Sequence, residues 1–343
     1  MPSTFETWTS ENAMRGSRIT GMGHYLPDRV VTNDDLAQII DTSSEWIIQR
    51  TGIEERRWVE GDVGAADLAF EATKGALEEA GIAASDLDMI IFATLSPDLN
   101  FPGSSCILQK RLGVPGIATL DIRNQCTGFV YGLSIADQFI KTGMMNHVLV
   151  VGAEVHSSGL DMTDRGRDVT VLFGDGAGVA VVSGTDGDHR ILDSKLHADG
   201  TQYDVLMVEA PASRLNPRLT PQMLEEGRHF PKMDGRTVFR NAVTAMPAVV
   251  HEVLEPHGLS VADIDMLIPH QANLRINQMV AKSLKLREDQ VFNNIMRYGN
   301  TTAASIPIAL HEAIQAGKVE EGDLVVLTAF GAGLTWGANL IRW

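Results

Sequence analysis

The chemistry of this chain centres on Cys126, in the run Asp121-Ile122-Arg123-Asn124-Gln125-Cys126-Thr127-Gly128-Phe129. An apolar run, Gly116 to Leu120, precedes it. A stretch with helical apolar spacing, Val130 to Thr142, follows. The cysteine therefore sits where a strand hands over to a helix. A helix N-terminus presents unpaired N–H groups and a partial positive charge. That setting favours thiolate over thiol. Taken alone, a free cysteine is more often a small core residue, and one histidine among 10 is more often structural. A thiol nucleophile needs a partner that generates or stabilises thiolate, and often a third polar group. His270, delivered by the apolar run Met266-Leu267-Ile268-Pro269, and Asn300, in Gly299-Asn300-Thr301-Thr302-Ala303-Ala304-Ser305, supply those types.

The elements that would bring the three together are legible as an internal repeat. Leu77-Glu78, Gly81-Ile82 and Asp86-Leu87-Asp88-Met89-Ile90-Ile91 match Leu254-Glu255, Gly258-Leu259 and Asp263-Ile264-Asp265-Met266-Leu267-Ile268. The separation is 177 positions throughout, and it also lays Val148-Leu149-Val150 on Val325-Val326-Leu327. One offset over separated segments marks a duplicated helix–strand module, and alternating strands and helices make each half an α/β layer structure. The same offset sets Cys126 on Ala303. The Asn300 loop is thus the counterpart of the cysteine loop, and the two should face each other across a pseudo-twofold axis.

Other elements follow in order. A first strand runs over Arg18–Tyr25, and a helix begins at Asn33-Asp34-Asp35. A short helix spans Asp41 to Arg50, with Thr42 and Glu45 at capping-box spacing, and ends at Thr51-Gly52. Helices are expected over Ala65–Ala80 and Ser104–Leu112, the latter carrying Cys106 into the core, with strands over Met89–Thr94 and His147–Gly152. Gly174 to Gly178 lacks phosphate-loop spacing and reads as tight backbone packing. The segment 203–236, with four prolines and many charges, reads as one long irregular loop.

Bulk properties narrow the classes. With 343 residues, 44% hydrophobic and 21% charged, the chain can bury a large core. A net charge of −16 argues against nucleic acid, which needs Lys and Arg against phosphate. No apolar window reaches membrane-spanning length. Residues 1–17 lack a signal-peptide run and read as a flexible tail on a cytoplasmic protein. Two cysteines outside any Cys/His cluster indicate neither a disulfide framework nor a metal site. Arg275, Lys282, Lys285 and Arg287 form a local basic stretch, with Arg275 and Lys282 on one helix face.

Taken together, the Cys-Thr-Gly-Phe motif, Pro269-His270-Gln271-Ala272-Asn273-Leu274-Arg275-Ile276 and Gly299 to Ser305 resemble the three active-site motifs of the β-ketoacyl-acyl carrier protein synthase III family. Asp41 to Ile47, Arg50 to Ile53, Ala329-Phe330-Gly331 and Thr335-Trp336-Gly337 are similar to further family motifs, in colinear order over 18–343. The resemblance implies a thiolase-like α/β fold of five αβαβα layers made of two duplicated halves, 18–185 with Cys126 and 186–343 with His270 and Asn300. It implies a decarboxylating condensation of an acyl-CoA primer, carried on Cys126, with malonyl-acyl carrier protein. The catalytic residues would be Cys126, His270 and Asn300, with an oxyanion hole from the backbone N–H groups of Cys126 and Ala332. Trp46, Arg50, Thr42 and Arg165 would contact CoA, and Arg275, Lys282 and Lys285 the carrier protein. Phe101 would cross a homodimer interface into the partner's acyl pocket, with Phe330 also near the acyl chain. No cofactor or metal is implied, and no nucleic-acid or membrane partner. Departures from the usual pattern cluster where a primer would run: Arg123-Asn124-Gln125, Thr127, Gly331-Ala332-Gly333-Leu334 and the longer 203–236 segment. They leave two readings open, initiation of fatty acid synthesis or a related condensation with a longer or unusual acyl group in natural-product or hydrocarbon biosynthesis. Degradative thiolase chemistry would need a second cysteine in the Gly331–Gly337 loop, which has none.

Overall fold

In the computed structural model, residues 15–343 are described; most of the expected N-terminal tail, residues 1–14, lies outside them. The first strand, Gly16–Tyr25, begins inside that expected tail. Ser17 is buried there and donates to Asp137 Oδ1 at 2.6 Å, which fixes the strand to the middle of the molecule.

Two mixed sheets form the frame. The first has five strands in the spatial order Gly16–Tyr25, Gly176–Thr185, His147–Glu154, Met89–Ala93 and Ala118–Ile122. The second has the order Arg190–Ala198, Thr335–Arg342, Leu324–Gly331 and Met266–Pro269. A lone parallel bridge from Leu267 to Val291 stands where a fifth strand would lie. The repeat is thus visible as topology. His147–Glu154 and Leu324–Gly331 are counterparts end to end, as are the 3-10 turns Gln125–Thr127 and Thr302–Ala304.

The inner strands of both sheets are apolar on both faces because helices cover both. Ile91, Val148 and Val150 point into a central core shared with Ile268, Val325 and Leu327 of the second sheet. Their neighbours Ile90, Phe92, Leu149 and Val151 point outward onto the helix Ala65–Ala80. On the far side, Leu267, Leu324 and Val326 pack against the helices Gly235–Leu254 and Leu274–Leu284. Between the sheets lie the cysteine helix, Gly128–Lys141, and its counterpart, Ser305–Gln315. The result is five layers, αβαβα, with both central helices beginning at the middle of the molecule.

Three expectations need correction. The short helix is Ser44–Thr51, and its cap is Ser43, which accepts from the Trp46 N–H at 3.1 Å; Thr42 makes no capping bond. Gly52 at φ 77° closes this helix. Cys106 is exposed, with Sγ 3.5 Å from Thr119 Oγ1, because its side of the helix Ser104–Leu112 faces outward beside the edge strand Ala118–Ile122. The 203–236 segment is not irregular throughout. Leu206–Val208 pairs antiparallel with Pro231–Met233, and Pro221–Glu225 is a helical turn capped by Thr220. Three-residue strands beside prolines leave no periodicity to read.

Candidate active site

Cys126 lies on a 3-10 turn directly before the cysteine helix. The turn forces Gln125 to φ 44°, a left-handed conformation that is uncommon away from glycine. Gly331 closes over the sulfur: a Cβ there would stand 2.6 Å from Cys126 Cβ and 3.1 Å from Sγ. The backbone N–H groups of Cys126 and Ala332 both face Sγ and lower the thiol's pKa, but burial pushes it the other way, as does Glu154, and the result is about 12. Cys126 at rest is therefore a thiol, contrary to the expectation from the helix N-terminus alone. A helix terminus is worth ~0.3–1 kcal/mol, whereas stripping a charge of water costs several.

His270 follows the strand Met266–Pro269 and is 2% exposed. Its Nδ1 is 2.6 Å from Ser305 Oγ, at the start of the helix Ser305–Gln315. Ser305 Oγ also accepts from the Gln271 N–H at 3.3 Å. With the Ser305 hydroxyl donating to Nδ1, the ring proton sits on Nε2. Among the described residues Nε2 is buried without a partner, a costly state unless a ligand satisfies it. Burial lowers the His270 pKa to about 3, so the ring is neutral.

Asn300 is 5% exposed and is stitched by its backbone to Leu172 and Gly174. Its Oδ1 accepts from the Thr302 N–H at 2.8 Å, which commits the carboxamide to presenting Nδ2 as a donor. The cysteine turn and the Thr302–Ala304 turn face each other: a Cβ on Gly128 would lie 3.4 Å from that of Ala303. A further hydrogen bond joins the halves here, between Thr127 Oγ1 and Thr335 Oγ1 at 2.8 Å. The Thr127 departure from the family pattern is accounted for by that bond. Leu334 is buried in the outer core against the helix Gly235–Leu254, and Phe330 lies in the same cluster, stacked on Trp336 at 6.4 Å.

At the surface, Trp46 carries two guanidiniums, Arg50 at 4.4 Å and Arg167 at 4.8 Å from its ring centroid. Arg165 is elsewhere, paired with Asp161 at 2.6 Å, bonded to the Glu225 carbonyl and over Phe230. Arg167, two positions after Arg165, is the residue at Trp46 that the sequence reading did not single out. Thr42 lies half-buried before this helix. Arg275 and Lys282 are exposed on the helix Leu274–Leu284, and Lys285 follows as its left-handed cap. Phe101 is 86% exposed and Leu99 52%.

A fold of two duplicated halves with a buried cysteine at its centre, beside a buried histidine nitrogen without a partner among the described residues and a carboxamide whose oxygen is already bonded, defines a thiolase-like condensing enzyme. The 3-oxoacyl-[acyl-carrier-protein] synthase III family is matched over residues 120–200, and its C-terminal region over 254–343. A β-ketoacyl-[acyl-carrier-protein] synthase III of Caldanaerobacter subterraneus is 49% identical over 95% of this chain and 97% of its own. One from Xanthomonas campestris is 47% identical over 95% and 98%. The crystal structure of the 3-oxoacyl-[acyl-carrier-protein] synthase III of Aquifex aeolicus is 45% identical and superposes with a TM-score of 0.88 over 96% of this chain and all of that one. The chain belongs to the β-ketoacyl-acyl carrier protein synthase III family and is an acyltransferase of the condensing type.

Proposed function

We propose that Cys126 takes the acyl group of an acyl-CoA primer and passes it to the carbon that malonyl-acyl carrier protein exposes on losing carbon dioxide, the condensation that initiates fatty acid synthesis. In the first half-reaction the thiol sulfur bonds to the primer carbonyl, the carbon–sulfur bond to CoA breaks, and the thiol proton ends on the departing CoA sulfur. The N–H groups of Cys126 and Ala332 hold the oxyanion; one such donor is worth about 3–4 kcal/mol in the transition state. In the second, the malonyl carboxylate leaves as carbon dioxide and its bonding electrons form an enolate. His270 Nε2–H and Asn300 Nδ2–H hold the enolate oxygen. The enolate carbon attacks the acyl group, the Cys126 carbon–sulfur bond breaks, and the sulfur, with a pKa pushed up to about 12, takes a proton from solvent. No metal or further cofactor enters this scheme.

The observation that carries this reading is the pair of donors whose opposite faces are already committed, His270 by Ser305 and Asn300 by Thr302. Trp46, Arg50 and Arg167 would receive the nucleotide end of CoA, with Thr42 beside them, and the face bearing Arg275, Lys282 and Lys285 would receive an acidic carrier protein. A second copy of the chain would cover Phe101, Leu99, Cys106 and the unpaired edge of Ala118–Ile122, bringing Phe101 to its partner's acyl pocket. Arg123, exposed at the end of that edge strand, favours keeping the second reading, a longer or unusual primer.

Intact-protein mass spectrometry after incubation with a panel of acyl-CoAs tests the proposal. One acyl adduct is expected, named by its mass, and none on Cys126→Ala, which should also lose condensation while staying folded. Undiminished condensation by Cys126→Ala would sink the reading.

A further inference from the structure

His156 takes no part in that scheme, yet it is built into the wall of the site. It stands two residues beyond the strand His147–Glu154 and is 7% exposed. Its backbone N–H donates to Asp175 Oδ1 at 2.7 Å, and that buried carboxylate also accepts from Val59 and Ser157. The ring lies against Phe173, centroids 4.6 Å apart. Phe173 in turn is bridged to Asn300 through the backbone. The backbone of His156 is thus anchored and its imidazole packed on Phe173, and its Nε2 meets Thr302 Oγ1 at 2.8 Å.

Thr302 is the residue that needs such a hold. It sits at φ 49°, where a β-branched side chain is an outlier. Its counterpart in the first half, Gln125 at φ 44°, is unbranched. The Thr302 N–H is the donor to Asn300 Oδ1. A terminal carboxamide has two orientations of similar intrinsic energy, so that single bond decides which atom of Asn300 faces the substrate.

We propose that His156 is a positioning residue for the condensation step, holding Thr302 in its left-handed conformation so that Asn300 presents Nδ2 rather than Oδ1. The proposal rests on the reading of Asn300 as a donor to the enolate. Released from Thr302, the carboxamide can turn its carbonyl oxygen toward a developing negative charge. Burial keeps the His156 ring neutral at physiological pH, so the hold does not vary there. Cys126 and Ala332 are carried by other turns, so acylation of the cysteine should not depend on it.

The test separates the half-reactions in the full-length enzyme: acyl transfer from acyl-CoA to Cys126, read by intact mass, and decarboxylation of malonyl-acyl carrier protein, read by carbon dioxide release. His156→Leu and Thr302→Val should each slow decarboxylation roughly 10-fold or more while acylation stays within about 2-fold. His156→Gln, which keeps a polar group toward Thr302, should recover most of the loss. Added to Asn300→Ala, His156→Leu should cost nothing further, because the group it orients is gone. Parallel loss of both half-reactions in His156→Gln and Thr302→Val would overturn the relay, as would a further loss on the Asn300→Ala background. A disabled Asn300→Ala beside a fully active His156→Leu removes the relay alone. A fully active Asn300→Ala removes the donor reading and the relay with it.

Discussion

Gly331 carries no chemistry of its own, yet Cys126 depends on it. A methyl group there would overlap Cys126 Cβ and crowd Sγ, and neither backbone can retreat, since Gly331 ends a buried strand paired to Thr335. Gly331→Ala is expected to leave the fold intact and slow acylation about 100-fold, the order of loss for a reacting group displaced by about an ångström. Acyl-adduct formation followed in time checks this; a rate within a few-fold of the parent would show that the loop yields. At this scale the sequence was partly legible. Cys126, His270 and Asn300 could be picked out by residue type and motif. The state of the thiol could not, because it turns on the balance between a helix terminus and burial, which only the folded environment sets. His156 gave no signal, since a histidine after a strand looks the same whether its ring faces solvent or a neighbouring turn.

The short helix Ser44–Thr51 shows why element ends matter. Its cap, Ser43, orders the turn from which Trp46 and Arg50 project. Ser43→Ala should cost about 1 kcal/mol of stability and weaken acyl-CoA binding with it, whereas Thr42→Ala should cost no capping energy. Thermal melts of the two variants decide between the caps. Helix interiors such as Ala65–Ala80 and Ser104–Leu112 were legible to the residue because apolar spacing and the glycines that close them, Gly81 and Gly113, are local signals. The cap was misread by one position because Thr42-Ser43-Ser44 offers three hydroxyls in a row, and only the chain's entry angle chooses among them. Cys106 was misplaced for a related reason: periodicity marks a face of a helix as apolar without saying whether this chain or a second copy covers it.

For the molecule as a whole, two properties invite measurement. The first is pH dependence. His156 and His270 are held neutral by burial with pKa values of about 3, and His24 and His311 are also lowered, by burial above all. A histidine whose folded pKa lies below its unfolded value near 6.5 contributes fully above that value, and the contribution drains away as pH falls toward the folded pKa. Glu154, raised to about 7 by burial, works in the opposite sense over the same range. His189 is lowered by burial too, and Asp175 is raised by it, so five histidines stand against two carboxyls; stability should fall between pH 7.5 and 5, and His156→Leu should flatten the slope. Urea unfolding at both pH values checks the sign. The second is charge. Arg275→Glu and Lys282→Glu on a chain of net charge −16 should raise KM for the carrier protein roughly 10-fold, more at low salt, with little change in kcat. The duplicated architecture was the most legible feature of all, because strands covered on both faces must be apolar throughout and a fixed offset survives where individual identities do not.

The left-handed turns at Gln125 and Thr302 are one backbone shape used twice. In the first half it carries the sulfur of Cys126; in the second its N–H holds the carboxamide of Asn300. Opposite polarities are thus set on a common scaffold, and exchanging the few side chains on either turn could redistribute nucleophile and electrophile between the halves without moving a strand.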